Sequence, residues 1–207
     1  MPRPDPDIIV QTASAAGVAL AGEAVDRLVD FANLLRTLGV DLGLVARADA
    51  DRIVERHVSD SMRAAGVVAD GDRTAADLGS GGGLPGIPVA IARPDVTVFL
   101  LESRARRVAF LELACERLGV GNGTPVRTRV EDADVRALDL CFARALAPLP
   151  RAWSLALPLL RPGGRLVYFA GQHADVAAAE SLDAAAVHVV RAPSVASGGP
   201  LVIIGRL

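Results

Sequence analysis

Lysine is missing from this chain: all 22 basic residues are arginine, set against 24 acids for a net charge of −2. The bias of a GC-rich genome accounts for that preference. A near-balanced charge excludes a general field for polyanions, so any nucleic-acid contact must come from a local patch of arginines. Aromatic residues make up 3% of the chain, too few for the stacked-base platforms of single-strand RNA binders. Two cysteines, Cys115 and Cys141, and three histidines form neither a metal-ligand spacing nor a disulfide framework. No metal is expected, and both thiols are expected in the core. No apolar run reaches membrane-spanning length, and the start Met1-Pro2-Arg3-Pro4-Asp5 lacks a secretory h-region. A cytoplasmic protein without a membrane partner is therefore expected.

What is plentiful is aliphatic: 51% of the 207 residues are hydrophobic, enough for one α/β domain with an appendage. The charge divides unevenly. Residues 1–72 carry net −5 and residues 73–207 net +3, which suggests an N-terminal helical appendage over 1–72 and a second unit over 73–207. In the first part Val25, Leu28, Val29, Ala32 and Leu35 fall at helical spacing, with Gly39 as a stop. A second helix begins near Asp49 and carries Ile53, His57, Val58 and Met62. Asp70-Gly71-Asp72 closes the region with a turn.

Beyond it strands and helices alternate. Strands are predicted at 74–78, 96–101, 125–130, 138–143, 165–170, 187–191 and 200–205, and helices at 85–93, 104–118, 150–160 and 175–185. That order implies a seven-stranded, mostly parallel sheet. The last two strands are joined without a crossover helix, so they should pair antiparallel. Ser103 is a suitable N-cap for the helix that follows it and Gly119 a suitable left-handed stop, with Val108, Leu111, Cys115 and Leu118 on the buried face.

The most informative stretch is Asp77-Leu78-Gly79-Ser80-Gly81-Gly82-Gly83-Leu84-Pro85-Gly86-Ile87-Pro88, a strand end, a glycine turn and a helix start. Glycine lets the backbone take positive φ and approach a ligand without a Cβ in the way, and proline suits a first helical turn. Two templates fit. Gly81-x-Gly83-x-x-Gly86 satisfies the dinucleotide fingerprint, and Asp77-x-Gly79-x-Gly81-x-Gly83 the pattern of S-adenosylmethionine (SAM) methyltransferases. In the dinucleotide case the first glycine should follow the strand directly, whereas Gly81 lies beyond an earlier glycine and an acid. Register therefore favours SAM. Glu102, ending the next strand, is placed to accept both ribose hydroxyls. Val130-Glu131-Asp132 could bracket an adenine, and Arg161-Pro162-Gly163-Gly164 reads as the turn before the fifth strand.

Taken together, Arg56-His57-x-x-Asp60-Ser61, the Leu84-Pro85-Gly86-Ile87-Pro88 continuation of the glycine turn, Leu101-Glu102-Ser103, Arg129-Val130-Glu131 and Arg144-Ala145 resemble the RsmG (GidB) family. These are bacterial guanine-N7 methyltransferases of 16S ribosomal RNA. The likeness runs from about residue 25 to the C-terminus. It implies a class I SAM-dependent methyltransferase fold, Rossmann-like with the last strand antiparallel, and SAM bound through Gly79, Leu84, Val130, Glu131 and Arg144. Asp77, Gly81, Gly83 and Glu102 join that set from the residue-level argument. Arg144 is the candidate catalytic residue, touching the methionine end of SAM or the target nucleotide, or else held in a structural ion pair. His57 reads as a packed core histidine, with a substrate-side role as its alternative.

The expected partner is 16S ribosomal RNA or the 30S subunit, met by a monomer. Two other readings stay open: a methyltransferase acting on another RNA or a small molecule, and a SAM-binding protein that docks on RNA without catalysis. They stay open because the chain departs from the family where RNA should be held. Ala170 stands where the family commonly has lysine, Ser197-Gly198-Gly199-Pro200 replaces basic residues of the C-terminal hairpin, and Asp41-Leu42-Gly43 replaces an Asn-Leu-Thr. Arg144, Arg151, Arg161 and Arg165 are the candidates to compensate.

Overall fold

The structure, a computed structural model, describes residues 5–171, 182, 185–190 and 199–207. The predicted helix over 175–185 and the residues Ser197 and Gly198 lie largely or wholly outside these. Among the described residues, seven strands form one sheet: β1 Thr74–Leu78, β2 Thr97–Glu102, β3 Gly123–Arg127, β4 Leu138–Arg144, β5 Leu160–Phe169, β6 Ala185–Val190 and β7 Leu201–Arg206. They lie in the order β3-β2-β1-β4-β5-β7-β6. The pairs β3·β2, β2·β1, β1·β4 and β4·β5 are parallel, and β7 runs antiparallel to both of its neighbours. This is the doubly wound arrangement that the alternation predicted, with its antiparallel ending.

Successive strand residues point to opposite faces, and the core divides accordingly. Ala75, Leu100, Leu140, Phe142 and Val167 face one hydrophobic cluster, and Ala76, Leu101, Cys141, Ala143 and Leu166 the other. The second face is covered by α6 (Leu149–Ala156), through Ala152, Trp153 and Ala156. The first is covered by α4 (Gly86–Ala92) and α5 (Ala105–Leu118), through Ile87, Phe110, Leu111 and Cys115.

The N-terminal helices share that first cluster. α1 (Pro6–Ala15), α2 (Gly22–Leu34) and α3 (Ser59–Ala65) contribute Ile9, Leu28, Phe31 and Met62, all fully buried. One core therefore runs across the turn at Asp70-Gly71. Between α2 and α3 the chain departs from the expected helices. The helix passes through Gly39 as a π-turn, Leu35–Gly39, and the left-handed residue is Gly43, at φ +66°. A 3-10 turn (Arg47–Arg52) and a second π-turn (Val54–Val58) then lead into α3.

Three more boundaries shift. β3 ends at Arg127, and Val130–Asp132 is a 3-10 turn rather than strand. Pro162, Gly163 and Gly164 lie inside β5, where the β4 register slips between Leu138 and Leu140, instead of preceding it. Ser103 does not cap α5: the helix begins one residue later, with Arg104 at the N-cap position and no side-chain cap, and the Ser103 hydroxyl donates instead to Glu102 Oε1 at 3.4 Å. Gly119 does stop that helix, at φ +61°.

The amino ends of the strands are pinned by Asp139. Its Oδ2 accepts from the backbone N–H of Arg73 (2.8 Å) and Thr74 (2.9 Å) and from the Thr74 hydroxyl (2.9 Å), and its Oδ1 accepts from Arg161 at 2.6 Å. Burial raises its pKa, but the bonds from Arg73, Arg161 and Thr74 outweigh burial and leave it at about 2, below its ordinary 3.8. Because the folded state holds the carboxylate charged, this stabilisation is complete above about pH 4 and is lost as pH falls through about 2. Asp139→Asn should cost about 1–3 kcal/mol of stability at pH 7, the usual loss for a buried hydrogen-bonded group. Urea melts should show the difference from the wild type shrinking as pH drops from 4 toward 2.

Candidate functional site

The glycine turn is built at the carboxyl end of β1. Gly79, Gly81 and Gly83 all take positive φ, +72°, +56° and +83°, in the region that residues with a Cβ rarely enter. Beneath them Asp77, 1% exposed, holds both ends of the turn. Its Oδ2 accepts from the Ser80 hydroxyl at 2.6 Å and from the Gly86 N–H, which opens α4, at 3.0 Å. Burial pushes the Asp77 carboxyl up to about 6, although the bonds from Ser80 and Gly86 pull the other way. The Ser80 N–H donates to the Leu101 carbonyl at 2.9 Å and so ties the turn to β2.

At the end of β2 stands Glu102, 5% exposed. Its Oε2 accepts from the Gly81 N–H at 3.2 Å and lies 3.6 Å from the Arg107 guanidinium, while Oε1 takes the Arg104 N–H. The carboxylate thus links turn, strand and α5. It also forms one wall of an open cleft of about 420 Å³ over the sheet's carboxyl edge. Gly79 and Leu101 line the floor, Thr128 to Glu131 one side, and Ala145, Leu146 and Ala147 the other. This is the ligand position that parallel α/β sheets present at a topological switch point, here where β1 lies between β2 and β4.

Of the residues singled out in the sequence, Gly79, Glu102, Val130 and Glu131 line this cleft. Gly81 meets it through its bond to Glu102. Asp77, Gly83 and Leu84 lie outside the lining: Asp77 is under the turn, Gly83 packs toward Ile87 and Leu111, and Leu84 rests against the core shared with α4. Arg144 ends β4. Since Phe142 pairs with Asp77, the Arg144 backbone comes level with Gly79, next to Ala145 of the lining but itself outside it. Its guanidinium turns toward the N-terminal helices, 2.7 Å from His57 Nδ1 and 3.8 Å from Asp60, over the Phe169 ring at 5.7 Å. His57 is therefore not a satisfied core residue: its Nε2 has no hydrogen-bond partner.

Sequence reasoning missed Arg104 and Arg107 on the cleft wall and left Arg129, quoted only as part of a motif, without a role. A signal was present, because arginines at the start of a helix oppose the dipole's preference for acids there, and α5 opens with them. Arg151 also lines the cleft, paired to Glu131 at 2.6 Å with both partners about half exposed, a weak tether of the surface kind. Arg161 and Arg165 are elsewhere. They bind Asp139 and Asp72 at the amino ends of the strands, on the opposite side of the sheet from the cleft.

A family model, rRNA small subunit methyltransferase G (GidB), matches residues 24–200. The chain belongs to the GidB family. Proteins named ribosomal RNA small subunit methyltransferase G are similar to it. That of Frankia alni is 42% identical over 164 residues, covering 77% of this chain and 62% of its own length. That of Kineococcus radiotolerans is 37% identical over 204 residues, covering 95% and 80%. Among solved structures, a Corynebacterium glutamicum protein matches with TM-score 0.58 at 17% identity, covering 86% of this chain and 89% of its own. M. jannaschii TYW2 in complex with AdoMet matches with TM-score 0.54 at 14% identity, covering 72% and 74%. The GidB chain thus has the class I SAM methyltransferase fold.

In this GidB chain the glycines differ in what a side chain would meet. A Cβ at Gly83 would stand 2.5 Å from Ile87 Cδ1 and one at Gly79 2.7 Å from Leu146 Cδ1, while one at Gly81 would come no nearer than 3.8 Å to any atom. Alanine at 83 or 79 carries both strain and overlap, and at 81 strain alone. Chemical denaturation should show Gly83→Ala and Gly79→Ala losing about 2–4 kcal/mol and Gly81→Ala about 1–2 kcal/mol. An equal loss at all three would contradict the packing.

Proposed function

We propose that the chain transfers a methyl group from SAM to guanine N7 of 16S small-subunit ribosomal RNA, acting in the cytoplasm. The observation that carries the reading is the joining of the glycine turn to Glu102, through the Gly81 N–H, beside a cleft that membership of the family leads one to expect. The residues present fit SAM: a Cβ-free floor at Gly79, a buried carboxylate at Glu102, and the apolar Val130 beside Glu131.

Gly79 and Gly81 would offer backbone to the ligand, Glu102 would accept from its ribose hydroxyls, and Val130 with Glu131 would flank the adenine. Leu84 follows by family likeness, and Asp77 and Gly83 shape the turn. Bound SAM would supply an electrophilic methyl on a sulfonium. Guanine N7 already carries an in-plane lone pair, so no side chain has to remove a proton. The chain's work is orientation, which reaches about 7–11 kcal/mol in favourable systems. Arg144, next to the cleft-lining Ala145, is assigned to the methionine end or the target nucleotide. Arg104, Arg107, Arg129 and Arg151 give the cleft the cationic wall that phosphates require.

A second reading, transfer to another RNA or to a small molecule, is favoured by the far edge. Ala170 is 7% exposed and its N–H donates to the Pro200 carbonyl at 3.1 Å. A Cβ at Gly199 would overlap the Ala170 and Gly171 backbone. Neither position offers a basic side chain a free path.

Incubation with labelled SAM and 30S subunits, naked 16S ribosomal RNA or a metabolite extract decides between them. Label recovered as 7-methylguanine in 16S RNA is expected. Label only in the extract moves the assignment to the second reading, and SAM binding without transfer leaves a docking protein. Glu102→Gln should weaken SAM binding about tenfold by calorimetry, the value of one charge-assisted hydrogen bond. Unchanged affinity would remove Glu102 from the site.

A further inference from the structure

The N-terminal helical region reaches the carboxyl end of β4 through His57, which the second π-turn delivers to Arg144, 87 residues further along the chain. Arg144 Nη2 lies 2.7 Å from His57 Nδ1. A guanidinium has N–H donors and no acceptor, so Nδ1 must present its lone pair. The ring is then the neutral tautomer with its proton on Nε2, which faces Asp49 Oδ2 at 3.6 Å, beyond hydrogen-bond length. The guanidinium also reaches the carbonyls of Arg56 at 3.4 Å and His57 at 3.5 Å. The His57, Arg56 and Asp60 contacts of Arg144 all come from the N-terminal helical region, and Asp77 of β1 acts on it through charge.

We infer that His57 is a positioning residue: its unprotonated Nδ1 holds the guanidinium of Arg144, whose backbone is level with Gly79 and next to the cleft-lining Ala145. The inference rests on the function proposed above and deepens it. The charged groups facing the imidazole are Arg144 from β4, Asp49 from the 3-10 turn, Arg56 from its own π-turn and Asp60 from α3. Burial and then Arg144 push the ring's pKa down to about 4 from 6.5, with Asp49 and Asp60 pulling upward. An imidazolium cannot accept, so acidification toward 4 frees Arg144 from this bond. The unfolded chain takes up the proton first, so stability present above about 6.5 falls through the same window.

The test uses the full chain, with SAM calorimetry, methyl transfer, circular dichroism and 15N NMR of the histidine rings. His57→Ala should keep its fold and lose about tenfold or more in SAM affinity or turnover. His57→Asn, whose amide oxygen can accept, should recover most of that loss. His57→Lys, a fixed cation, should be at least as impaired as His57→Ala. Wild type should show the Nε2–H tautomer and an acid limb in SAM affinity that His57→Asn lacks, and Arg144→Met should raise the His57 titration midpoint.

A folded His57→Ala indistinguishable from wild type, a His57→Asn no better than His57→Ala, or a wild-type ring protonated on Nδ1 would each overturn the role. If His57→Ala does not fold, the tautomer and the acid limb decide. A wild type that binds no SAM would overturn the proposed function and this role with it, whereas normal SAM binding with an inert His57 would overturn this role alone.

Discussion

The site depends on one buried carboxylate. Asp77 sits under a turn of three left-handed glycines, which by themselves would leave the backbone free to wander. Its single oxygen Oδ2 receives the Ser80 hydroxyl and the Gly86 N–H, so the start and end of the turn are fixed to one point on β1. Everything above follows from that fixed point. The Gly81 N–H is aimed at Glu102, α4 departs at a set angle, and Gly86 packs against Leu100 and Asp77 so closely that no side chain fits. Confinement raises the pKa of Asp77 toward neutrality, a sign of how little solvent reaches it.

The second constraint is the shared core. Phe31, Leu28 and Met62 are buried with residues of the sheet's first face, so the N-terminal helices form a layer of the fold. That layer holds the 3-10 and π segments in register with the sheet's working end. Residues far apart in the chain can then act on one another, as His57 and Arg144 do. The two rows of arginines also divide the labour. Arg161 and Arg165 secure the amino ends of the strands against Asp139 and Asp72, and the arginines of α5 and of the segment after β3 border the cleft.

Much of this was legible in the residues. Positive φ at three glycines is a demand that only glycine meets cheaply, so the turn could be read directly. The two-residue alternation of Ala75/Ala76 and Leu100/Leu101 sorts itself onto two faces without any knowledge of partners. What failed was what depends on competition between neighbours. Ser103 looked like a cap, but its hydroxyl donates to the Glu102 carboxylate and the helix starts one residue later. Gly39 looked like a stop, but its backbone stays helical and sits on Leu35. Pro162-Gly163-Gly164 looked like a turn before a strand, but pairing with β4 begins at Leu160. The His57 contact left no local trace, because its partner is a strand residue from the other half of the chain.

One strand at the border of the sheet has a consequence for the molecule among its own kind. The Asn122 carbonyl accepts from Val98 and the Thr128 N–H donates to the Glu102 carbonyl, so the even-numbered residues of β3 turn their backbone groups inward to β2. Pro125, paired with Leu100 in register, therefore presents its missing N–H to the outside. An arriving strand would find a gap in the middle of a ladder only five residues long, so this border offers poor purchase for stacking one copy upon another.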